Sequence, residues 1–427
     1  MAKDIIIENV SIIGAGLAGL TLALALHQQS IPVTVYESRP APLNIGGAVM
    51  LSPNALKILD ALGVYNIIKA QGYNFDSVEY RNLAGKLTDT QEFGGIEKYG
   101  YRGLRIYRHV LIDELVAAVF RARIALEYGA KFSHIEKDEA QGVTFALADG
   151  RSISTSILVG ADGIHSTVRK YLYPDLETTF IGMAGITAAV PTDQLKIPEG
   201  YHIPVTIVSP KGAFVIAPQK VDGSEVLIGK QMRLAPADRE PGWDRAFVAD
   251  KQSAIEFLQS GNEHFPEFVN NAVSHLEPSK VNKWPFFVVP KLDKWTSETC
   301  RVLILGDAAH AIPPSAGQGI NQAFEDVYIL ALVLGQRKNI GNIADSLQFW
   351  QKYRQERVQK VLQLNQQIDH RRMPSDDSTV GERSGFKKEG FDLSWLYNPD
   401  FKKDVEDWVA IIASASLSEQ QASKATS

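Results

Sequence analysis

Three groups of residues in this chain have types and spacing suited to holding an anionic, ring-bearing ligand. The first is Gly14-Ala15-Gly16-Leu17-Ala18-Gly19, fed by apolar Val10 to Ile13 and followed by a second apolar run, Pro32 to Tyr36, that ends at Glu37. At this spacing Gly14 permits a tight turn and Gly16 lets the backbone reach a pyrophosphate. Gly19 allows close helix–strand packing, and Glu37 can accept from ribose hydroxyls. The second group is RVLILGDAAHAIPPSAGQGINQAFED at 301–326, which reads as a buried strand, a tight loop and a helix. It presents Asp307 at the strand's end, and Gly317 and Gly319 place backbone N–H groups of a helix N-terminus where an anion or electron-rich ring can approach. The third is LVGADGIHSTVR at 158–169, with Asp162 and Arg169.

The elements that must position these groups follow from periodicity and punctuation. A helix is expected to about Gln28, others near 53–62 and 108–122, a β-ribbon around 135–147, and a strand over 154–160 ending at Asp162. From about Ile181, short alternating stretches separated by Pro and Gly (GMAGITAAVP, YHIPVTIVSP, GAFVIAPQ, SEVLIGKQMR) predict an antiparallel sheet. Alternation along 226–233 puts Ile228, Lys230 and Met232 on one face and Leu227, Gly229, Gln231 and Arg233 on the other. Tyr201 and His202 join Lys230, Gln231 and Arg233 as polar candidates of that sheet. Residues 250–276 read as mainly helical and KWPFFVVP as a strand. A long helix is expected over 345–370, a mobile linker over 371–390, and a tail helix over 405–417 that docks on the body.

In this order and at these separations the three motifs resemble the single-component flavoprotein monooxygenases of the p-hydroxybenzoate hydroxylase type, from about Ile7 to about Leu364. The resemblance implies an α/β fold: a Rossmann-like FAD-binding domain with an inserted antiparallel β-sheet substrate domain and C-terminal helices. Its parts are expected at 1–180 and 296–370 for FAD, 181–295 for substrate, and 371–427 for linker and tail. Noncovalent FAD is the implied cofactor, with NADPH or NADH as co-substrate. The implied cofactor contacts are Gly14, Gly16, Gly19, Glu37, Arg39, Gly47, Ala48, Arg108, Asp162, Asp307, Gly317, Gly319, Ile320 and Asn321. Arg108, opening the segment RHVLIDEL, fits the family arginine that reaches the FAD phosphates. Pro314 and Gly317 are the implied cradle at the oxygen site, and no catalytic base is assigned. His310 is expected to hold structure by hydrogen bonding.

The implied activity is hydroxylation or epoxidation of a small aromatic, indole-like or alkene substrate by NAD(P)H and O2 through a flavin C4a-hydroperoxide, which needs a dry pocket. Two alternatives stay open: an FAD oxidoreductase that reduces or desaturates without inserting oxygen, and a nonenzymatic binding protein on the same fold. A second dinucleotide fingerprint is absent, so NAD(P)H is expected to bind transiently in a surface groove. The halogenase motif Trp-x-Trp-x-Ile-Pro is also absent.

At 427 residues and 45% hydrophobic the chain can bury a core too large for one simple domain. A net charge of −5 gives no footprint for nucleic acid or an anionic membrane. One cysteine, Cys300, excludes an internal disulfide and a multi-cysteine metal site, and is expected to be a small buried residue. No metal site is expected. MAKDIIIENV reads as a first strand and not a signal segment, and no run approaches the roughly 20 apolar residues of a membrane span, so a cytoplasmic location is expected. Partners are expected to be a small-molecule substrate and O2; the sequence leaves the oligomeric state open.

Overall fold

The computed structural model describes residues 7–42, 47–234, 242–336, 342–372 and 392–425, with side chains to 414. Its centre is a five-stranded parallel sheet in the order Val302–Ile304, Ile157–Gly160, Val10–Ile13, Val33–Glu37, Ala125–Tyr128. Every residue of Val10–Ile13 and Ile157–Gly160 is buried, as a parallel sheet covered on both faces requires. The helix Leu17–Gln28 follows the first strand directly and packs on the helices Gly319–Gly335 and Arg108–Arg121. Gly14 is needed there for its own backbone, at φ 105. A Cβ on Gly19 would lie 1.9 Å from the Gly14 carbonyl oxygen.

A seven-stranded sheet forms the second layer, ordered Val281–Val288, Thr179–Pro191, Glu225–Arg233, Gly212–Pro218, Val205–Ser209, Ser77–Asn82, Leu87–Glu92. It is antiparallel except where Val205–Ser209 runs parallel to Ser77–Asn82, and the last two strands at that edge come from before residue 93. Helices Lys251–Gln259 and Glu267–Ser274 cover one face, burying Ile186, Ile207, Phe214 and Ile228 in a separate core. The other face looks toward the parallel-sheet body. Between them lies a three-stranded sheet, Ala48–Leu51, Gly103–Tyr107 and Tyr73–Phe75.

Several expectations need correction. The strand expected over 154–160 is two strands: Ser152–Thr155 pairs with the ribbon and Ile157–Gly160 with the parallel sheet. Ser156 is the break; its N–H donates to Asn9 Oδ1 at 3.0 Å, and its hydroxyl accepts from Glu8 N–H at 3.0 Å. The closing helix runs Ile343–Arg372, so Arg371 and Arg372 are helical and not linker; residues 373–390 of the expected linker lie outside the described residues. The tail helix runs Phe401–Ala425. It docks through Phe401 and Val405, each 2% exposed, and through Trp408 stacked on Phe349 at 4.4 Å. Cys300 is half-buried and sits at φ 60 in the turn before its strand, where the 297–300 hydrogen bond reverses the chain. Among the described residues no helix is long and apolar enough to cross a membrane.

Candidate functional site

The fingerprint turn is held by the acid that follows it. Glu37, 5% exposed, accepts from Ala15 N–H at 2.8 Å through Oε2, and from Arg39 N–H at 2.8 Å and the Ser38 hydroxyl at 3.1 Å through Oε1. The Arg39 guanidinium lies 3.5 Å from the same carboxylate. Gly16 caps the helix Leu17–Gln28 at φ −80, an ordinary conformation, and a Cβ there would meet no atom within 4 Å. The fold's own packing therefore does not require glycine at 16, and the space beside it is open to close approach by a ligand.

Beside this turn, Asp162 is fully engaged. Its carboxylate accepts from the Ser166 hydroxyl at 2.5 Å, Thr167 N–H at 2.7 Å and Val168 N–H at 3.3 Å, closing the start of the helix Thr167–Leu172. Arg169 donates to the carbonyls of Ile164 and Ala308 at 2.6 and 3.0 Å. The Asp162–Arg169 segment thus ties the fingerprint to the Gly306–Asp307 turn by structure.

Asp307 opens a single helical turn, Asp307–His310, after Gly306 at φ 58. Asp307 is exposed to solvent yet closely surrounded by protein. That confinement raises its pKa, against the pull of His310 and Arg108. Arg108, first residue of its helix, donates through its N–H to the Gly47 carbonyl at 3.3 Å. Among the described residues its guanidinium has no hydrogen-bond acceptor, and burial lowers its pKa despite the charge of Asp307. Ala48 N–H donates to Gln219 Oε1 at 3.1 Å.

The cradle turn, Pro314–Ala316, leads through Gly317 at φ 64 into the helix Gly319–Gly335. Asn321 is a fully buried staple. Its Oδ1 accepts from Ser52 N–H at 2.9 Å, and its Nδ2 donates to the carbonyls of Met50 and Gly317 at 3.0 and 2.7 Å. Only its backbone is available to a ligand. Ile320 packs against the main core. At Gly319, as at Gly16, a Cβ would meet nothing within 4 Å, and the first N–H groups of that helix have no intrahelical acceptor.

The site depends on a network that sequence reasoning missed. Asp326, fully buried, accepts from Gly306 N–H at 2.8 Å, His310 Nε2 at 2.6 Å and Arg354 Nε at 2.8 Å. Its neighbour Glu325 takes Asn54, Arg357 and Arg354. Burial pushes both carboxyls up, but the charges around them, His310 and Arg354 at Asp326 and the two arginines at Glu325, outweigh it and hold both low. The signal was an acid pair inside the apolar helix AFEDVYILALVL; its partners on another helix were not readable. His310 has the structural role expected of it.

The sheet's faces are now assigned. Lys230 donates to the Ser260 carbonyl at 2.7 Å, placing Ile228, Lys230 and Met232 on the helix-covered side. His202 reaches Ser77 O at 3.2 Å and Tyr201 packs into the same covered core. On the opposite side, Gln231 Nε2 lies 3.5 Å from Ser315 Oγ and 3.4 Å from Asp369 Oδ1, so this face meets the cradle turn. Among the described residues no group of three or more His, Cys, Asp or Glu is placed to hold a metal ion.

These residues fit FAD: two open glycines at helix N-termini, a guanidinium without an acceptor, and carboxylates at two strand ends. The chain matches the family described as FAD binding domain over residues 8–365 and belongs to it, in the class of p-hydroxybenzoate hydroxylase-like, FAD-dependent monooxygenases. Hispidin-3-hydroxylase of Neonothopanus nambi is 28% identical over 377 residues, 83% of this chain and 86% of that one. A 3-amino-4-hydroxybenzoate 2-monooxygenase of Streptomyces platensis is 28% identical over 339 residues, 77% and 79% of the two chains. In fold, the chain is similar to Klebsiella pneumoniae HpxO complexed with FAD and uric acid, with a TM-score of 0.73 at 23% identity over 94% of this chain and 96% of that one.

Proposed function

We propose that this chain uses NAD(P)H and O2 to hydroxylate or epoxidise a small aromatic, indole-like or alkene substrate. The observation that carries the reading is the approach of Gln231, on the open sheet face, to Ser315 of the cradle turn. That contact sets the open sheet face against the cradle turn, beside an aromatic wall of Tyr80, Phe75 and Phe93. FAD, when bound, supplies electron transfer and the activation of O2 for insertion of one oxygen atom.

The chain's own residues do the rest. Glu37 accepts from ribose hydroxyls, Arg108 donates to the phosphates and Asp307 accepts from the ribityl chain. Gly16 and Gly319 permit close backbone approach, with Gly14, Gly19, Arg39, Gly47, Ala48, Asp162, Ile320 and Asn321 shaping the surrounding surface. Pro314 and Gly317 keep the oxygen site rigid and dry. Residues 1–180 and 296–370 make up the FAD-binding part and 181–295 most of the substrate sheet, in a cytoplasmic enzyme.

The test is a reconstituted protein assayed for substrate-dependent NADPH oxidation with O2 uptake and mass analysis of the product under labelled O2. One labelled oxygen atom per turnover is the expected result. Turnover without O2 uptake would replace oxygen insertion with simple oxidoreduction.

A further inference from the structure

Beneath the cradle turn lies a buried guanidinium that the cofactor contacts leave unused. Arg105 occupies the middle strand of the three-stranded sheet, paired with Met50 on one side and Tyr73 on the other, and is 5% exposed. A guanidinium carries five N–H donors and no acceptor. Among the described residues, the acceptor it has is Gln219 Oε1, at a long 3.4 Å and shared with Ala48 N–H; its Nε has none. No carboxylate of the described residues lies within ion-pair distance of it. Glu225, on the facing sheet, is taken by the Tyr107 hydroxyl and lies 3.9 Å from Lys280. Burial lowers the pKa of Arg105 to about 10, the direction for a cation without a countercharge.

Other buried arginines here have closer acceptors, although the Nε of Arg169 and of Arg301 is likewise without one. Arg354 has Glu325 and Asp326. Arg169 and Arg301 each reach two backbone carbonyls. Breaking such an arrangement is costly because it leaves a charge buried and uncompensated; at Arg105 the protein builds that condition in.

Its place gives it a use. A Cβ on Gly317 would lie 3.8 Å from Met50 Cβ and 3.7 Å from Phe93 Cζ, and one on Gly47 would lie 3.5 Å from Gln219 Oε1 and 3.8 Å from Leu227 Cδ1. Arg105, Met50's strand partner and Gln219's hydrogen-bond partner, therefore stands between the cradle turn and the open sheet face, with Phe93 and Phe75 alongside at Gly103. We propose that Arg105 is an anion subsite of the substrate pocket, receiving a carboxylate or phenolate carried by an aromatic substrate. This rests on the monooxygenase reading above. The ring lies against the aromatic wall, and the anion restores to the guanidinium the paired, charge-assisted bonds that the protein withholds.

The test uses FAD-loaded protein titrated with matched acid and amide probes, following the flavin absorbance: benzoate and benzamide, salicylate and salicylamide, 4-hydroxybenzoate and 4-hydroxybenzamide. In the parent, the acid of at least one pair binds tenfold or more tightly than its amide. Arg105→Met erases that preference, Arg105→Lys keeps part of it, and the FAD dissociation constant does not change in either. If Arg105→Met fails to fold, Arg105→Gln, which keeps a donor for Gln219, takes its place. A parent with no acid preference in any pair, or a preference that survives Arg105→Met, overturns the proposal. So does a tenfold loss of FAD affinity with the acid preference intact, which would assign the guanidinium to the cofactor. A parent that binds no FAD sinks the monooxygenase reading instead, so the two failures are distinct.

Discussion

Replacing Gly319 by alanine should stabilise the apoprotein and weaken its hold on FAD, two effects of opposite sign from one methyl group. Gly319 is the first residue of the helix Gly319–Gly335, and a Cβ there meets no protein atom within 4 Å. The fold has no steric objection. Relief of glycine's entropy in the unfolded chain should then raise stability by about 0.4–1 kcal/mol. On the proposed placement of FAD the same methyl projects into the flavin's path, and the expected loss is at least tenfold in FAD affinity, about 1.4 kcal/mol. Urea unfolding of the apoprotein reads the first effect and quenching of FAD fluorescence the second. An apoprotein that is destabilised, or an unchanged FAD affinity, would refute the placement of the cofactor over this helix end. Gly317 does not allow so clean an experiment. At φ 64 any side chain there is strained by about 1–2 kcal/mol, so Gly317→Val would mix backbone strain with blocking of the oxygen site.

Asp326→Ala should cost about 3–5 kcal/mol, because it leaves Arg354 buried with one acid fewer and frees Gly306 N–H; a urea-unfolding loss under 1 kcal/mol would show that the network is not what holds the Gly306–Asp307 turn. Glu37→Ala should weaken FAD binding by about 1–3 kcal/mol per lost ribose bond and also loosen the Ala15 turn it now closes, read as flavin released on gel filtration. Asp307 has a raised pKa in the folded protein, so between the unfolded value near 3.9 and the folded one the folded state binds more protons, and apoprotein stability falls as pH rises through that window. Asp307→Asn should therefore stabilise the apoprotein at pH 7 but not at pH 3, while lowering FAD affinity; equal effects at both pH values would mean that burial does not perturb this carboxyl.

Where backbone chemistry and periodicity coincide, the sequence was legible. The fingerprint helix ends at Gln28 and its second strand at Glu37, because glycine spacing, apolar runs and the terminal acid all mark the same boundaries. SISTSILVG misled because no glycine, proline or charged residue separates its two strands, and nothing local reveals that Ser156 passes the chain from one sheet to another. The outer pair Ser77–Asn82 and Leu87–Glu92 escaped because SVEYRN and LTDTQE carry polar residues on a half-exposed edge. Arg105 was hidden by its neighbour: RIYRHVL offered Arg108 as the arginine with a purpose, and only the fold shows that the other one is buried without a countercharge. The Arg354 and Arg357 pairing with Glu325 and Asp326 was out of reach for a different reason. Pairs across separate helices follow from docking, which no local spacing encodes.

The closing helix has a consequence for how the protein comes into being. Its Arg354 and Arg357 fix the acid pair behind Gly306, and its Asp369, Arg371 and Arg372 grip Ser315 and Asp89. All of these residues leave the ribosome after the glycine turn, the strand of Asp162 and the whole substrate sheet. The chain made before residue 343 therefore lacks the partners of Glu325, Asp326 and Ser315 that the closing helix supplies. A chain cut before residue 343 lacks these contacts and is expected to hold FAD less tightly than the full chain.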